Sequence, residues 1–556
     1  MTAAASTEYD YVVVGAGSAG CVLAARLSAD RDSHVLLIEA GPPADRGLLI
    51  QLPMGVGLLS GRKEINWGYE TEPEPGLGGR SIPVPRGRLV GGTGSINGST
   101  HVRSHRLDYD DWVKSGATGW GWDDLLPYFR KSEHSWRGDT DHHGGYGPVN
   151  VATAVGRGHF GRRLDRAARA LGIDFPDETQ SGDPTGAGQK EVALLRGRRH
   201  STAAAYLRPA LRRRPNLTLL TGALVGRVVL EQGRASGVRV VERGSSRVIR
   251  ARREVVLCGG TYNSPQLLMR SGIGPAEHLR ELGVQPEVDL PGVGANLQEH
   301  PAAPVLFDVK APVTVHDQLR ADRVARHGLR WLATGRGPLG EMPEFLSAYV
   351  RTRPELDRPD GFLGILAGGF GARPWFPLVK PLRDRQCVAL NAVATPRSRG
   401  EVRLRSTDPT AAPRITFNLL TEPEDVVTLR ETIRTTLAIL HSPEVAPMIN
   451  KVLSPGPDVR SDEDFERYVR ETGYSANHAC GTCAIGTSED AVVDPDLRVR
   501  GVAGLRVVDA SVLPSVPGAN INATVIAVAE KASDLIRGVP ALAPAPLRKV
   551  REGTTP

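Results

Sequence analysis

Apolar residues first gather as a short buried strand, Tyr11-Val12-Val13-Val14, and the run stops at glycine. Gly15, Gly17 and Gly20 follow in the pattern G-x-G-x-x-G. Ser18 to Leu27 is small and apolar enough to pack as a helix on a sheet, and Val35 to Ile38 gives a second strand that delivers Glu39 at its end. Strand, turn, helix, strand and acid in this register predict a dinucleotide site. Gly15 makes the tight turn, Gly17 lets the backbone approach a pyrophosphate, and Gly20 lets the helix pack close to the strand. The helix N-terminus turns unpaired N–H groups and a favourable dipole toward phosphates. Glu39 is placed to accept hydrogen bonds from a ribose diol, and an acid there disfavours the 2′-phosphate of NADP.

Farther along, residues 42 to 100 are rich in Gly and Pro with little periodicity, as expected of a stretch that covers a ligand or an active site. It holds Pro85-Arg86-Gly87-Arg88 and Gly91-Gly92-Thr93-Gly94-Ser95-Ile96-Asn97-Gly98. Such glycines can bring successive backbone N–H groups against an anionic or polar ligand; a plain surface loop is the alternative. Asp110 to Lys131 carries Trp and Leu at helical spacing. His142 and His143 beside two glycines read as a lid or surface loop rather than a metal site. Thr202 to Arg213 is helical. Leu217 to Leu220, Leu224 to Leu230, Val238 to Val240, Ser246 to Ile249 and Glu254 to Leu257 are strands, and Ser264 to Met269 is a helix. Residues 301 to 450 lack a second nucleotide fingerprint. Their strands at Val305 to Val309, Leu346 to Arg351, Cys387 to Val393 and Gly400 to Arg405, with a helix at Glu424 to Leu440, predict a separate sheet-plus-helix layer. A strand returns at Leu505 to Val508, followed by Asp509-Ala510-Ser511, and Ile521 to Ile536 forms a closing helix.

Length changes the picture: 556 residues are too many for one ordinary core, so two closely packed domains are expected. A net charge of +7 is small for this size, with Arg196 to Arg199 and Arg212 to Arg214 interspersed among acids, which argues against nucleic-acid binding. Five cysteines make no disulfide scaffold and suit a reducing cytoplasm. No apolar run reaches the length of a membrane span, Ile521 to Ala529 being the best candidate.

Chemistry is concentrated in Asn477-His478-Ala479-Cys480-Gly481-Thr482-Cys483. Three readings compete: a metal site of His478, Cys480 and Cys483; a redox pair of the two cysteines; and a catalytic histidine on a tight loop. The residues alone leave all three open.

Four segments together resemble the glucose–methanol–choline oxidoreductases, and most of all the choline dehydrogenase-like bacterial branch. They are the fingerprint through Glu39, Pro85 to Gly98, Gly259 to Pro275 (GGTYNSPQLLMRSGIGP), and His478 to Glu530. The resemblance runs from about Tyr9 to Ile536. It implies an α/β fold: a Rossmann-like FAD-binding domain assembled from discontinuous segments, with a second α+β substrate domain built on an antiparallel sheet. The expected FAD-binding parts are 1–150, 201–300 and 471–539, the substrate parts 151–200 and 301–470, and 540–556 a disordered tail.

Carried over by position, the resemblance puts Gly15, Gly17, Ser18 and Gly20 at the FAD pyrophosphate and Glu39 at the adenosine ribose. Val225 falls at the adenine side, and Asp509 and Ala510 near the ribityl–pyrophosphate. Arg88 joins the cofactor-binding residues, with Gly92, Gly94 and Asn97 against the isoalloxazine ring. His478 is the catalytic histidine and Asn522 its partner. Gly292 to His300 (GVGANLQEH) matches another family segment, with Glu299 for the usual Asp. Where relatives often attach FAD through a histidine this chain has Ile96, so non-covalent FAD is expected, and His101 is no match.

The implied reaction is oxidation of a primary alcohol to the aldehyde, with His478 taking the hydroxyl proton and flavin N5 the hydride. The alternatives are an oxidase that uses oxygen and releases hydrogen peroxide, a choline dehydrogenase, or a non-catalytic flavin protein. Glu341 and Glu344 are the candidate substrate-binding acids. The partners are a small-molecule alcohol and an electron acceptor (a quinone, a dye-like carrier or oxygen). A monomer or homodimer in the cytoplasm is expected, and peripheral membrane association stays compatible with the sequence.

Overall fold

The strand Glu8–Val14 is buried from Tyr9 onward and forms the middle of a seven-stranded sheet in the computed structural model. The structure describes residues 7–59, 61–154, 158–188, 190–242, 244–369, 372–376 and 385–545. Val35–Glu39 lies parallel on one side of this strand, and Leu217–Thr221 lies parallel beyond it. On the other side runs Ser245–Leu257, a single long strand where the sequence predicts two short ones. The polar run Arg250 to Arg253 does not interrupt it, because its arginines face outward. Arg250 pairs with Glu231 at 2.6 Å and Arg252 with Asp10 at 2.9 Å.

This long strand serves two further ladders. Gly237–Glu242 pairs antiparallel with its first half, continuing the hairpin Leu224–Glu231/Arg234–Glu242. Leu505–Val507 pairs parallel with Val255–Leu257 at its far end. Asp509 therefore arrives beside Gly259 and Gly260, where the long strand turns into the helix Gly260–Arg270. The helix Ser18–Leu27 packs on this sheet against the closing helix Asn522–Arg537. Arg26 pairs with the fully buried Glu530 at 2.6 Å, and Tyr206 donates to the same carboxylate at 2.7 Å.

The second layer is a six-stranded antiparallel sheet in the order Glu344–Val350, Gly361–Leu366, Gln386–Val393, Pro301–Val309, Ile449–Ser454, with Tyr474–Ser475 also on Pro301–Val309. The helix Pro423–His441 covers it, burying Val426, Leu429, Ile433, Ile439 and Leu440. A smaller sheet joins Glu133–Ser135, Val149–Thr153, Glu191–Leu195 and Arg198–Arg199, so one of its strands runs across residue 150. The expected helix from Asp110 to Lys131 is two helices, Arg106–Lys114 and Trp122–Ser132. Gly116 and Gly119, at φ +99° and +82°, turn the chain between them. His143 is not on a surface loop: it is buried, with Glu133 at 3.2 Å and Glu178 at 2.9 Å, and these carboxylates push it up to about 9.

Of the expected tail, Pro540 to Ala545 runs along the helix Trp122–Ser132, where Leu542 N–H donates to the Tyr128 hydroxyl and Ala545 N–H to the Asp123 carbonyl. Residues 546–556 lie outside the described residues. Among the described residues no helix is long and apolar enough to cross a membrane.

Candidate active site

The glycine turn is built by close backbone approach. Gly15 has φ +103°, and a Cβ there would stand 2.4 Å from the Cys258 carbonyl oxygen. A Cβ on Gly20 would meet the Gly15 oxygen at 1.9 Å, so the helix rests directly on the turn. At Gly17 the same atom would find nothing nearer than 3.9 Å, and this residue lines an open cavity. The helix Ser18–Leu27 has no side-chain cap and no acid in its first turn, which leaves its N–H groups available to an anion. Gly92, at φ +52°, lies over the turn, where a Cβ would be 2.8 Å from the Gly17 Cα. The second glycine segment thus rests on the first.

Glu39 ends its strand buried and accepts two backbone amides, Ala16 N–H at 2.9 Å and Gly41 N–H at 2.8 Å. Burial nonetheless pushes its carboxyl up to about 7, with the two amides and the Arg88 charge pulling the other way. Asp509 is held at both oxygens. One accepts the Gly260 amide and the Ser264 hydroxyl, at 2.8 and 2.6 Å, and the other the Ser511 amide and hydroxyl. This carboxylate ties the late-returning strand to the turn after Leu257.

At the other end of the cavity His478 follows the short strand Tyr474–Ser475, which is fixed by its register with Pro301 and Ala302. Glu299 brackets the two chains: one oxygen accepts the amides of His300 and His478, both at 2.8 Å, and the other the Ser475 hydroxyl at 2.7 Å. The Nδ1 atoms of His300 and His478 are 3.0 Å apart. His478 Nε2 meets the Asn520 amide nitrogen at 2.8 Å. Burial holds His478 well below the ordinary histidine range, and the charges of His300, Arg86 and Lys190 push the same way. His300 is pushed down to about 4, mainly by burial.

Asn522 is not the residue against His478. It accepts a hydrogen bond from the Ser18 hydroxyl at 2.7 Å, beneath Gly94, and Asn520 holds the partner position. The two asparagines alternate across Ile521 at the start of the closing helix, so they face different walls. The remaining expected cofactor residues divide. Ser18, Asn97, Val225 and Ala510 line the cavity with Gly15, Gly17, Glu39, Gly92 and Asp509, whereas Gly20, Arg88 and Gly94 do not. Arg88 instead sits over the Trp67 ring at 5.5 Å. Neither Glu341 nor Glu344 lines the cavity; Glu344 is turned to Lys190.

Cys480 and Cys483 are buried, and burial raises both thiols, the reverse of a reactive redox pair. The ligand-type atoms that do cluster with His478 belong to Glu299 and His300, within 4.8 Å of one another, and hydrogen bonds among the loops already engage them.

One cavity of about 480 Å³ runs from Glu39 and Val225 to His478 and Asn520. An uncapped helix N-terminus beneath Gly92, a buried carboxylate at one end and a histidine at the other fit a flavin dinucleotide laid along it. Residues 9–302 match the N-terminal GMC oxidoreductase domain and residues 396–529 the C-terminal one. The chain is a GMC oxidoreductase.

Its similarity to known proteins is close to full length. The oxygen-dependent choline dehydrogenase of Rhizobium etli is 40% identical over 542 residues, covering 96% of this chain and 97% of that protein. The Chromohalobacter salexigens protein of the same name is 39% identical over 551 residues, 96% and 95% of the two chains. Among solved structures, pyridoxine 4-oxidase from Mesorbium loti matches at 32% identity and TM-score 0.85, covering 96% and 100% of the chains. Formate oxidase of Aspergillus oryzae matches at 28% and 0.89, covering 96% and 98%. This GMC oxidoreductase is an FAD enzyme that acts on CH–OH donors, with a small-molecule alcohol and an electron acceptor as its partners.

Proposed function

We propose that the enzyme oxidises a primary alcohol to the aldehyde, with His478 Nε2 as the base and Asn520 as the donor to the alcohol oxygen. The observation that carries this is the 2.8 Å contact between His478 Nε2 and Asn520 Nδ2 on the wall of the cavity. An amide nitrogen only donates, so Nε2 accepts and the ring proton sits on Nδ1. From there it donates to His300 Nδ1, 3.0 Å away. His478 therefore turns a lone pair to the cavity, and its lowered proton affinity keeps it neutral at working pH. A substrate hydroxyl that takes the place of the direct contact between the two side chains donates to Nε2 and accepts from Asn520, whose dipole favours the developing alkoxide.

When bound, FAD supplies the hydride acceptor. Gly15, Gly17 and Ser18 would hold its pyrophosphate, Glu39 its ribose, and Gly92 and Asn97 its ring system, all without a covalent bond. Anaerobic bleaching of the flavin by added alcohols tests the reading. Flavin bleached at the wild-type rate in His478→Ala would rule out His478 as the base.

A second reading concerns the acceptor. Relatives called oxygen-dependent, and solved oxidases, support oxygen with release of hydrogen peroxide. A peroxide-coupled assay during turnover separates this from transfer to a quinone or dye.

A further inference from the structure

Lys190 stands just before the strand Glu191–Leu195 and lines the same cavity as His478 and Asn520. Its side chain is 13% exposed, and its one polar partner among the described residues is Glu344, at 2.5 Å. Glu344 is 3% exposed and lies behind the wall rather than on it. An ammonium has three donors, and Glu344 stands beside it as an ion pair only, its two buried oxygens making no aligned hydrogen bond. The same cavity is lined by the apolar Met342, Leu366 and Leu390 and by Thr100. A buried pair with unspent donors costs desolvation without recovering it in hydrogen bonds, unless a ligand completes the set.

The charge on this wall has one sign where the chemistry occurs. Besides Lys190, the His478 end of the cavity is lined by Arg86, which donates to the Asn477 side chain at 3.2 Å, while Arg270 lines its far end on the Gly226 carbonyl. Its two carboxylates, Glu39 and Asp509, are each held by donors of the chain itself. The two aromatic walls also have a cation against them already: Arg86 lies 4.8 Å from the Tyr262 ring centre, and Arg88 5.5 Å from that of Trp67. A quaternary ammonium would find neither an open carboxylate nor a vacant π-face here. An oxyanion would find a donor-rich ammonium.

We propose that Lys190 determines specificity by receiving a carboxylate or phenolate oxygen of the alcohol, so that the substrates are oxyanion-bearing primary alcohols and not quaternary ammonium alcohols. This rests on the alcohol-oxidation reading above, and Glu344 positions the ammonium.

Three alcohols of one shape test it with the FAD-loaded enzyme: para-carboxybenzyl alcohol, benzyl alcohol and para-trimethylammoniobenzyl alcohol. Their oxidation-inert counterparts, para-toluate and para-tolyltrimethylammonium, are titrated against the absorption spectrum of the bound flavin, so binding is read without turnover. Expected is binding of para-toluate at least roughly tenfold tighter than of the ammonium compound, and the same order in anaerobic flavin reduction. Lys190→Met combined with Glu344→Gln, which leaves no unpaired buried charge, should erase the preference while benzyl alcohol still reduces the flavin. Failure of para-toluate to bind, equal or tighter binding of the ammonium compound, or an unchanged preference in the double variant would overturn the proposal. If para-toluate is preferred and the double variant loses that preference, yet no alcohol bleaches the flavin, the specificity assignment stands and the alcohol-oxidation reading fails.

Discussion

Asn520 Nδ2 faces His478 Nε2 at 2.8 Å, from a segment that returns only after the last strand of the nucleotide sheet. Asn522, on the next turn of chain, faces Ser18 instead. The two asparagines therefore separate by experiment. His478→Ala should keep FAD and lose on the order of 10²–10⁴-fold in flavin reduction. Asn520→Ala should lose roughly 10²-fold, as for one lost donor to a developing oxyanion. Asn522→Ala should leave reduction near the wild-type rate and loosen FAD. Anaerobic stopped-flow measurements decide; a slow Asn522→Ala beside a normal Asn520→Ala would reverse the assignment.

Acid should switch the enzyme off only well below neutrality. His478 is held below the ordinary histidine value of 6.5 by burial first and then by three neighbouring charges. Lowering the pH adds a proton to the base and removes its lone pair, so the reduction rate falls as pH falls and is flat above. The apparent pKa of this limb should lie under 6.5. Lys190→Met combined with Glu344→Gln should leave the limb in place or move it toward neutrality, since the charge of Lys190 is one of those that disfavour protonation. A pH series of single-turnover reduction reads both; a wild-type limb above the ordinary value counts against the base.

Glu39→Ala should weaken FAD retention and lower stability together. It removes the ribose-facing acid and strands two buried amides, Ala16 N–H and Gly41 N–H, at a cost of about 1–3 kcal/mol. Flavin occupancy after dilution and thermal melts report the two effects. Full occupancy with an unchanged melting temperature would contradict the assigned role.

Much of the nucleotide end was legible because its signals are local: a strand, a glycine turn and an acid lie within one short segment, and the sheet repeats that register. The long strand Ser245–Leu257 was not, since its arginines read as a break until outward ion pairs explain them. At the other end the local pattern left His478 among three readings, and only the family resemblance singled it out. The segment Gly292 to His300 was recognised, but its contact with His478, and that of Asn520, come through tertiary packing that no spacing encodes. Between Asn520 and Asn522, two residues apart, only the direction of the turn into the closing helix decides. Lys190 gave no signal at all; an isolated lysine before a strand reads as a solvated charge.

Acid precipitation should release the flavin into the supernatant. Ile96 holds the position at which a histidine could be linked to the ring, and it is buried, 4% exposed, among Leu59, Ile65 and Leu89 with no nucleophile to offer. Yellow colour that stays with the denatured polypeptide would require another attachment point.

The shared strand also sets an order of assembly. On the ribosome Val255–Leu257 emerges long before Leu505–Val507, with nearly the whole antiparallel layer translated in between. Until then its far edge is an open row of backbone donors and acceptors, a template for wrong pairing. A nascent or truncated chain ending before Leu505 displays the glycine fingerprint yet lacks the strand that seals the sheet and the carboxylate that locks the turn. The complete glycine turn therefore exists only once the C-terminal strand has joined the sheet and brought Asp509 to Gly260.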